Sequence, residues 1–127
     1  SAAMMVDGTS ISDTQDVVIR DRVMLAQDGM FVIIALVDQK TGKLKKSPDL
    51  ISRGFVYLKE NQELLRQVRI IIKKSVEDSI SKNSARNADG SQIDYDYIKA
   101  ELGETVSKFL YQKTEKRPLV IPVILSV

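Results

Sequence analysis

Apolar residues follow two rhythms along the chain, and the change of rhythm marks the elements. Phe31 to Val37 (FVIIALV) is an unbroken apolar run rich in branched side chains, the pattern of a strand covered on both faces. Asp38 to Gly42 (DQKTG) supplies turn chemistry, and Lys43 to Ser47 returns as a charged, edge-like strand that Pro48 interrupts. Ile51 to Leu58 (ISRGFVYL) reads as a further strand, with Gly54 permitting a bulge or a close backbone approach. From Glu60 to about Ser81 the period lengthens. At ~100° per residue, Leu64, Leu65, Val68, Ile71, Ile72 and Val76 share one arc, and Arg66, Arg69 and Lys73 share another. This predicts an amphipathic helix packed on a sheet.

Lys82 to Gln92 (KNSARNADGSQ) is polar and predicts a loop, and Ser91 with Asp94 weakly resembles a capping box. A second helix is expected over Asp94 to Lys113, with Tyr95, Ile98, Leu102, Val106, Phe109 and Leu110 on one face. Arg117-Pro118 ends it, and Leu119 to Val127 (LVIPVILSV) predicts a last strand that Pro122 assigns to an edge or a bulge. Upstream, residues 1–16 are rich in Ser, Thr, Asp and Gly and read as a linker or a detached strand. Residues 17–28 mix apolar and charged positions, and Asp28-Gly29 closes them as a turn or a helix stop. Ser1-Ala2-Ala3 has the look of a cloning remnant. The order predicts an α+β domain: a small three-stranded mixed β-sheet with two α-helices packed on one face.

Composition removes most chemistry from this domain. The 127 residues include no histidine and no cysteine. That excludes a His/Cys zinc cluster, a cysteine nucleophile, an iron–sulfur site, a disulfide and a Ser-His-Asp triad. The six glycines (8, 29, 42, 54, 90 and 103) are too widely spaced for a phosphate-cradling loop. Paired carboxylates remain as candidates: Asp94 with Asp96, Glu101 with Glu104, and Glu60 with Glu63. Nothing in the pattern sets them in an apolar pocket, so solvated helix-surface charge is the favoured reading. The longest apolar run, Met30 to Val37, has eight residues, and a membrane-spanning helix needs about 20.

Charge changes the picture by its distribution. The net charge is +2, yet residues 39–74 carry 10 basic and 3 acidic side chains. Lys45 and Lys46 belong to this stretch, and a second cluster near the last strand joins Lys116 and Arg117 to Tyr111. Lysines beside a tyrosine suit a phosphate backbone and a stacked base, which makes these five the candidate RNA contacts. The plainer reading is that turn lysines keep an edge strand soluble. It is favoured because no ladder of aromatic residues accompanies the charge. Ile70 and Tyr97, both off the apolar arcs, are candidate self-association contacts, with ordinary rim exposure as the alternative.

Several strings resemble a known family. Val6-Asp7-Gly8, Asp16 to Arg22 (DVVIRDR) and Asp28-Gly29-Met30-Phe31 resemble the segment leaving the catalytic core of ribonuclease J. Ser47 to Tyr57 (SPDLISRGFVY), Lys108 to Tyr111 (KFLY) and Lys116 to Val127 (KRPLVIPVILSV) resemble that family's C-terminal domain. The resemblance implies a multidomain, metal-dependent endo- and 5′–3′ exoribonuclease with a metallo-β-lactamase core and an inserted β-CASP domain. Residues 1–16 would be the end of that core and its linker, and residues 17–127 the C-terminal domain. The family's zinc-binding histidines have no counterpart in this histidine-free chain. Catalysis, metal and cofactor are therefore assigned to the parent's core and none to this fragment. The expected role is support of oligomerisation (dimer or tetramer) and of full activity in cytoplasmic RNA processing and decay, without membrane contact. Partners would be a second copy, RNA through the parent enzyme, and other RNA-decay proteins. The alternative is a free-standing RNA-binding or protein-interaction module.

Overall fold

A computed structural model describes residues 27–86 and 93–127. Strand β1 (Met30–Val37) lies at the centre of a three-stranded sheet in the order β2-β1-β3. It pairs antiparallel with β2 (Asp49–Arg53) and parallel with β3 (Leu119–Ser126). Between β2 and β3 run a single 3-10 turn at Leu58–Glu60 and two helices, α1 (Gln62–Arg86) and α2 (Tyr95–Thr114). This is an α+β architecture with a mixed sheet. Pro122 sits on edge strand β3, where its missing N–H breaks no ladder.

One core holds the layers together. Phe31, Ile33, Ala35 and Val37 point inward from β1 and are fully buried. Against them pack Leu65, Val68, Ile72, Val76 and Ile80 from α1, and Ile98, Leu102, Val106 and Leu110 from α2. Both helical sets follow the spacing of three and four residues that puts side chains on one face. The opposite face of β1 is half-buried and belongs to no core cluster. The expectation of a strand covered on both faces is therefore corrected: among the described residues, helices cover one side only.

The other departures have local causes. The second strand is Asp49–Arg53, not Ile51 to Leu58. Gly54 adopts φ +71° and ends it, against Gly29 at φ +81°. A β-carbon on Gly29 would collide with the carbonyl oxygen of Arg53, so two backbones cross here at a distance only glycine permits. The Ser52 hydroxyl donates to Val56 O (2.9 Å) and accepts from Val56 N–H (3.2 Å), folding the chain inward. Phe55 thereby reaches the core, edge-on to Phe31 with ring centres 5.9 Å apart. Lys43 to Ser47 forms no strand; Leu44 alone makes a bridge, to Val37. Helix α1 continues past Ser81 to Arg86, with Asn83 buried and accepting from Asp94 N–H. Asp94 is the N-cap of α2, accepting from Tyr97 N–H at 3.1 Å, rather than an acid within its first turn. Ser91 lies outside the described residues.

Candidate functional site

Three surfaces stand out, and the first is fastened by a carboxylate. The β1–β2 connection opens with an Asx-turn in which Asp38 Oδ1 accepts from Lys40 N–H (2.8 Å). It then crosses α1 at Glu77, which lies 33 residues beyond Leu44. The Glu77 side chain is 10% exposed and accepts from Leu44 N–H (2.9 Å), with Lys73 Nζ at 3.2 Å and Lys43 Nζ at 3.9 Å. Burial alone would raise its pKa. Burial is the largest single influence, but the Leu44 amide, the Lys73 bond and charge and the Lys43 charge together outweigh it and hold the group below the ordinary carboxylate value.

This fastening opens a groove of about 670 Å³ between the connection and the start of α1. Leu44, Pro48 and Ile70 supply its apolar surface, and Lys46, Arg66 and Arg69 supply charge. Arg69 Nε donates to Pro48 O at 3.3 Å, tying the two walls. Arg66 grips Glu63 with two bonds (Nε to Oε1 3.1 Å, Nη2 to Oε2 2.7 Å). These bonds, with a further one from Gln67, bring the exposed Glu63 carboxyl down to about 2. Of the candidate RNA contacts, Lys46 is here, paired with Asp49 at 3.2 Å. Lys45 is exposed, and its N–H donates to Leu36 O. Ile70, a candidate self-association contact, is 54% exposed in the same groove.

The second surface lies where α2 meets β3. Helix α2 ends with Glu115 in the left-handed conformation (φ 58°), its N–H bonded to Tyr111 O. The chain then doubles back, and Arg117 N–H donates to Asp28 Oδ2 (2.7 Å). The Arg117 guanidinium comes to rest 4.3 Å from the Tyr111 ring centre, a cation–π stack. With Ser107, Lys108 and Pro118 the pair lines a shallow pocket, and Lys116 is exposed next to it in sequence. The five candidate RNA contacts thus fall into two groups: Lys45 with Lys46, and Tyr111 with Lys116 and Arg117. Tyr97, the other candidate self-association contact, is 53% exposed on α2, its hydroxyl donating to Glu101 at 3.5 Å. It does not line the groove that holds Ile70.

The third surface is the outward side of the sheet. The pairing sets Val32 between Ile51 and Ile121, and Ile34 between Asp49 and Val123. Leu36 lies beside Leu125, which is 49% exposed. None of these residues belongs to the core cluster. Contiguous apolar surface of this kind marks an interaction site more often than isolated exposed residues do. The signal was present in the sequence as the even positions of β1, but an unbroken apolar run does not say which face is covered.

The chain has no histidine or cysteine, and among the described residues no three carboxylates gather closely enough to hold a metal ion. No described helix is long and apolar enough to cross a membrane.

The family model of the ribonuclease J C-terminal domain matches residues 17–127. Proteins named Ribonuclease J 2 from Staphylococcus epidermidis and Staphylococcus aureus are each 33% identical over 127 residues, the whole of this chain. The chain spans 21% of the length of those relatives.

Proposed function

The chain belongs to the ribonuclease J C-terminal domain family, and we propose that it serves a larger metal-dependent ribonuclease as a non-catalytic assembly domain. In this reading residues 1–16 are the end of the catalytic core and its linker, and residues 17–127 are the domain. The parent cleaves RNA internally and from the 5′ end, in the cytoplasm, using zinc held by its core. This chain brings copies of the enzyme together, as a dimer or a tetramer. Purified residues 1–127 are expected to leave RNA intact with zinc, manganese or magnesium present.

The outward sheet face is the observation that supports self-association. Its apolar residues run across all three strands. Asp49 and Arg53 stand at opposite ends of β2 on that side, in register with Ile34 and Met30. A two-fold axis lying across the strands at the level of Val32 stacks one face on the other. It also sets Arg53 of one copy opposite Asp49 of the other, so the face is self-complementary. The chain has no cysteine, so Val32→Cys creates a single thiol beside that axis. A short bis-maleimide linker should join Val32→Cys chains into covalent dimers and leave Ser107→Cys chains monomeric. Equal crosslinking of the two contradicts the reading.

A second role, holding RNA for the parent enzyme, is favoured by the stack of Arg117 on Tyr111. Base stacking on an aromatic side chain is worth about 1–3 kcal/mol. Tyr111→Ala should therefore weaken single-stranded RNA binding about tenfold, in fluorescence anisotropy titrations whose affinity falls steeply with salt. Unchanged affinity would remove the platform from the account.

A further inference from the structure

The groove along α1 differs in chemistry from the Tyr111–Arg117 platform, and the two share no residue. Its lining carries four cations (Lys46, Arg66, Arg69 and Lys73) against one carboxylate, Glu63. No aromatic side chain lines it, so a nucleobase entering it would find no aromatic ring to stack on. It offers aliphatic surface instead. Ile70 is 54% exposed, a large apolar side chain on a helix whose other apolar face is sealed in the core. Leu44 and Pro48 face it from the connection.

The geometry is that of a slot. Lining residues on α1 run from Gln62 to Lys73, about 16 Å at 1.5 Å per residue. That length takes about five residues of extended chain at 3.3 Å each. The opposite wall, Lys46 to Pro48, is not paired to a strand. The N–H groups of Lys46 and Ser47 have no protein partner among the described residues, which leaves donors beside the slot for an incoming backbone. Both walls are held open: Glu77 binds Leu44 N–H, and Arg69 binds Pro48 O. A binding site built this way requires little ordering when a ligand enters.

We propose that this groove docks an extended acidic segment of another protein, seating one bulky aliphatic side chain against Ile70, Leu44 and Pro48 while its carboxylates meet Lys46, Arg66 and Arg69. Charge complementarity selects the acidic segment, and the aliphatic, ring-free lining selects peptide over RNA. The groove and the outward sheet face are lined by different residues, with the Lys46–Asp49 ion pair linking their margins.

The test is a titration of the 15N-labelled chain, followed by amide chemical shifts. The probes are a capped octapeptide of alternating leucine and glutamate, a leucine–lysine octapeptide, and an eight-nucleotide oligouridylate. The acidic peptide should shift the amides of Leu44, Lys46, Arg69 and Ile70 in a saturable way, and the basic peptide should leave them unmoved. Arg66→Ala should weaken the acidic peptide about fivefold and Ile70→Ala about threefold, as losses of one rim charge and one apolar anchor. Both side chains are exposed, and retained spectral dispersion will verify that the variants fold. Several results overturn the proposal: no saturable shift at millimolar acidic peptide, oligouridylate occupying the same amides, or groove shifts that follow the chain's own concentration. Acidic-peptide binding unchanged in both variants does so too.

Discussion

The two faces of the sheet are made of the same kinds of residue and meet opposite fates. Phe31, Ile33, Ala35 and Val37 have no solvent exposure, while Val32, Ile34 and Leu36, their neighbours in sequence, belong to no core. Period-2 alternation normally pairs a buried apolar face with a solvated polar one. Here both are apolar, and among the described residues the core cluster takes in only the inward one. The lesson is that hydrophobicity in β1 does not all serve the core, and under the proposed function its outward half serves contact.

Substitutions on either side should divide accordingly. The largest effect is expected at Phe31→Ala, which empties the centre of the inner face and its contact with Phe55. A loss of about 3–5 kcal/mol in denaturant unfolding is expected. Next comes the pin that holds the connection over the inner face. Glu77→Ala leaves the Leu44 N–H and the two lysines without their carboxylate, at a cost of about 1–3 kcal/mol. Because the folded-state pKa of Glu77 is depressed, its contribution is whole above the unfolded carboxylate value and is lost as pH falls through the folded one. The stability difference between wild type and Glu77→Ala should thus be flat near neutrality and shrink below about pH 4.5. Smallest is Leu125→Ser on the outward face, expected within about 0.5 kcal/mol of wild type. A drop of several kcal/mol there would mean the outward face is part of the folding core after all.

Much of this was legible in the sequence. The strand at β1, the three-and-four spacing of Leu65, Val68, Ile72 and Val76, and Pro122 as an edge marker all rest on local pattern. What could not be read depends on partners distant in the chain. β2 stops at Arg53 because Gly54 meets Gly29, 25 residues earlier. Helix α1 outlasts its apolar stripe, its final turns held by a buried Asn83 that reaches Asp94. Glu77 looks like any solvated helix carboxylate until Leu44 is brought to it. The two clusters of candidate RNA contacts, Lys45 with Lys46 and Tyr111 with Lys116 and Arg117, were legible in the sequence, but only the fold brings Ile70 into the same groove as Lys46.

The central claim, that the outward face joins copies of this domain, is tested most directly by analytical ultracentrifugation over a wide range of chain concentrations, with Val123→Asp alongside. Val123 lies beside Ile34 on that face, and a carboxylate there cannot be buried without a partner. The wild-type mass should rise from monomer to dimer with concentration, and Val123→Asp should stay monomeric while remaining folded. A wild type that is monomeric throughout, or a Val123→Asp variant that dimerises equally well, would contradict the account.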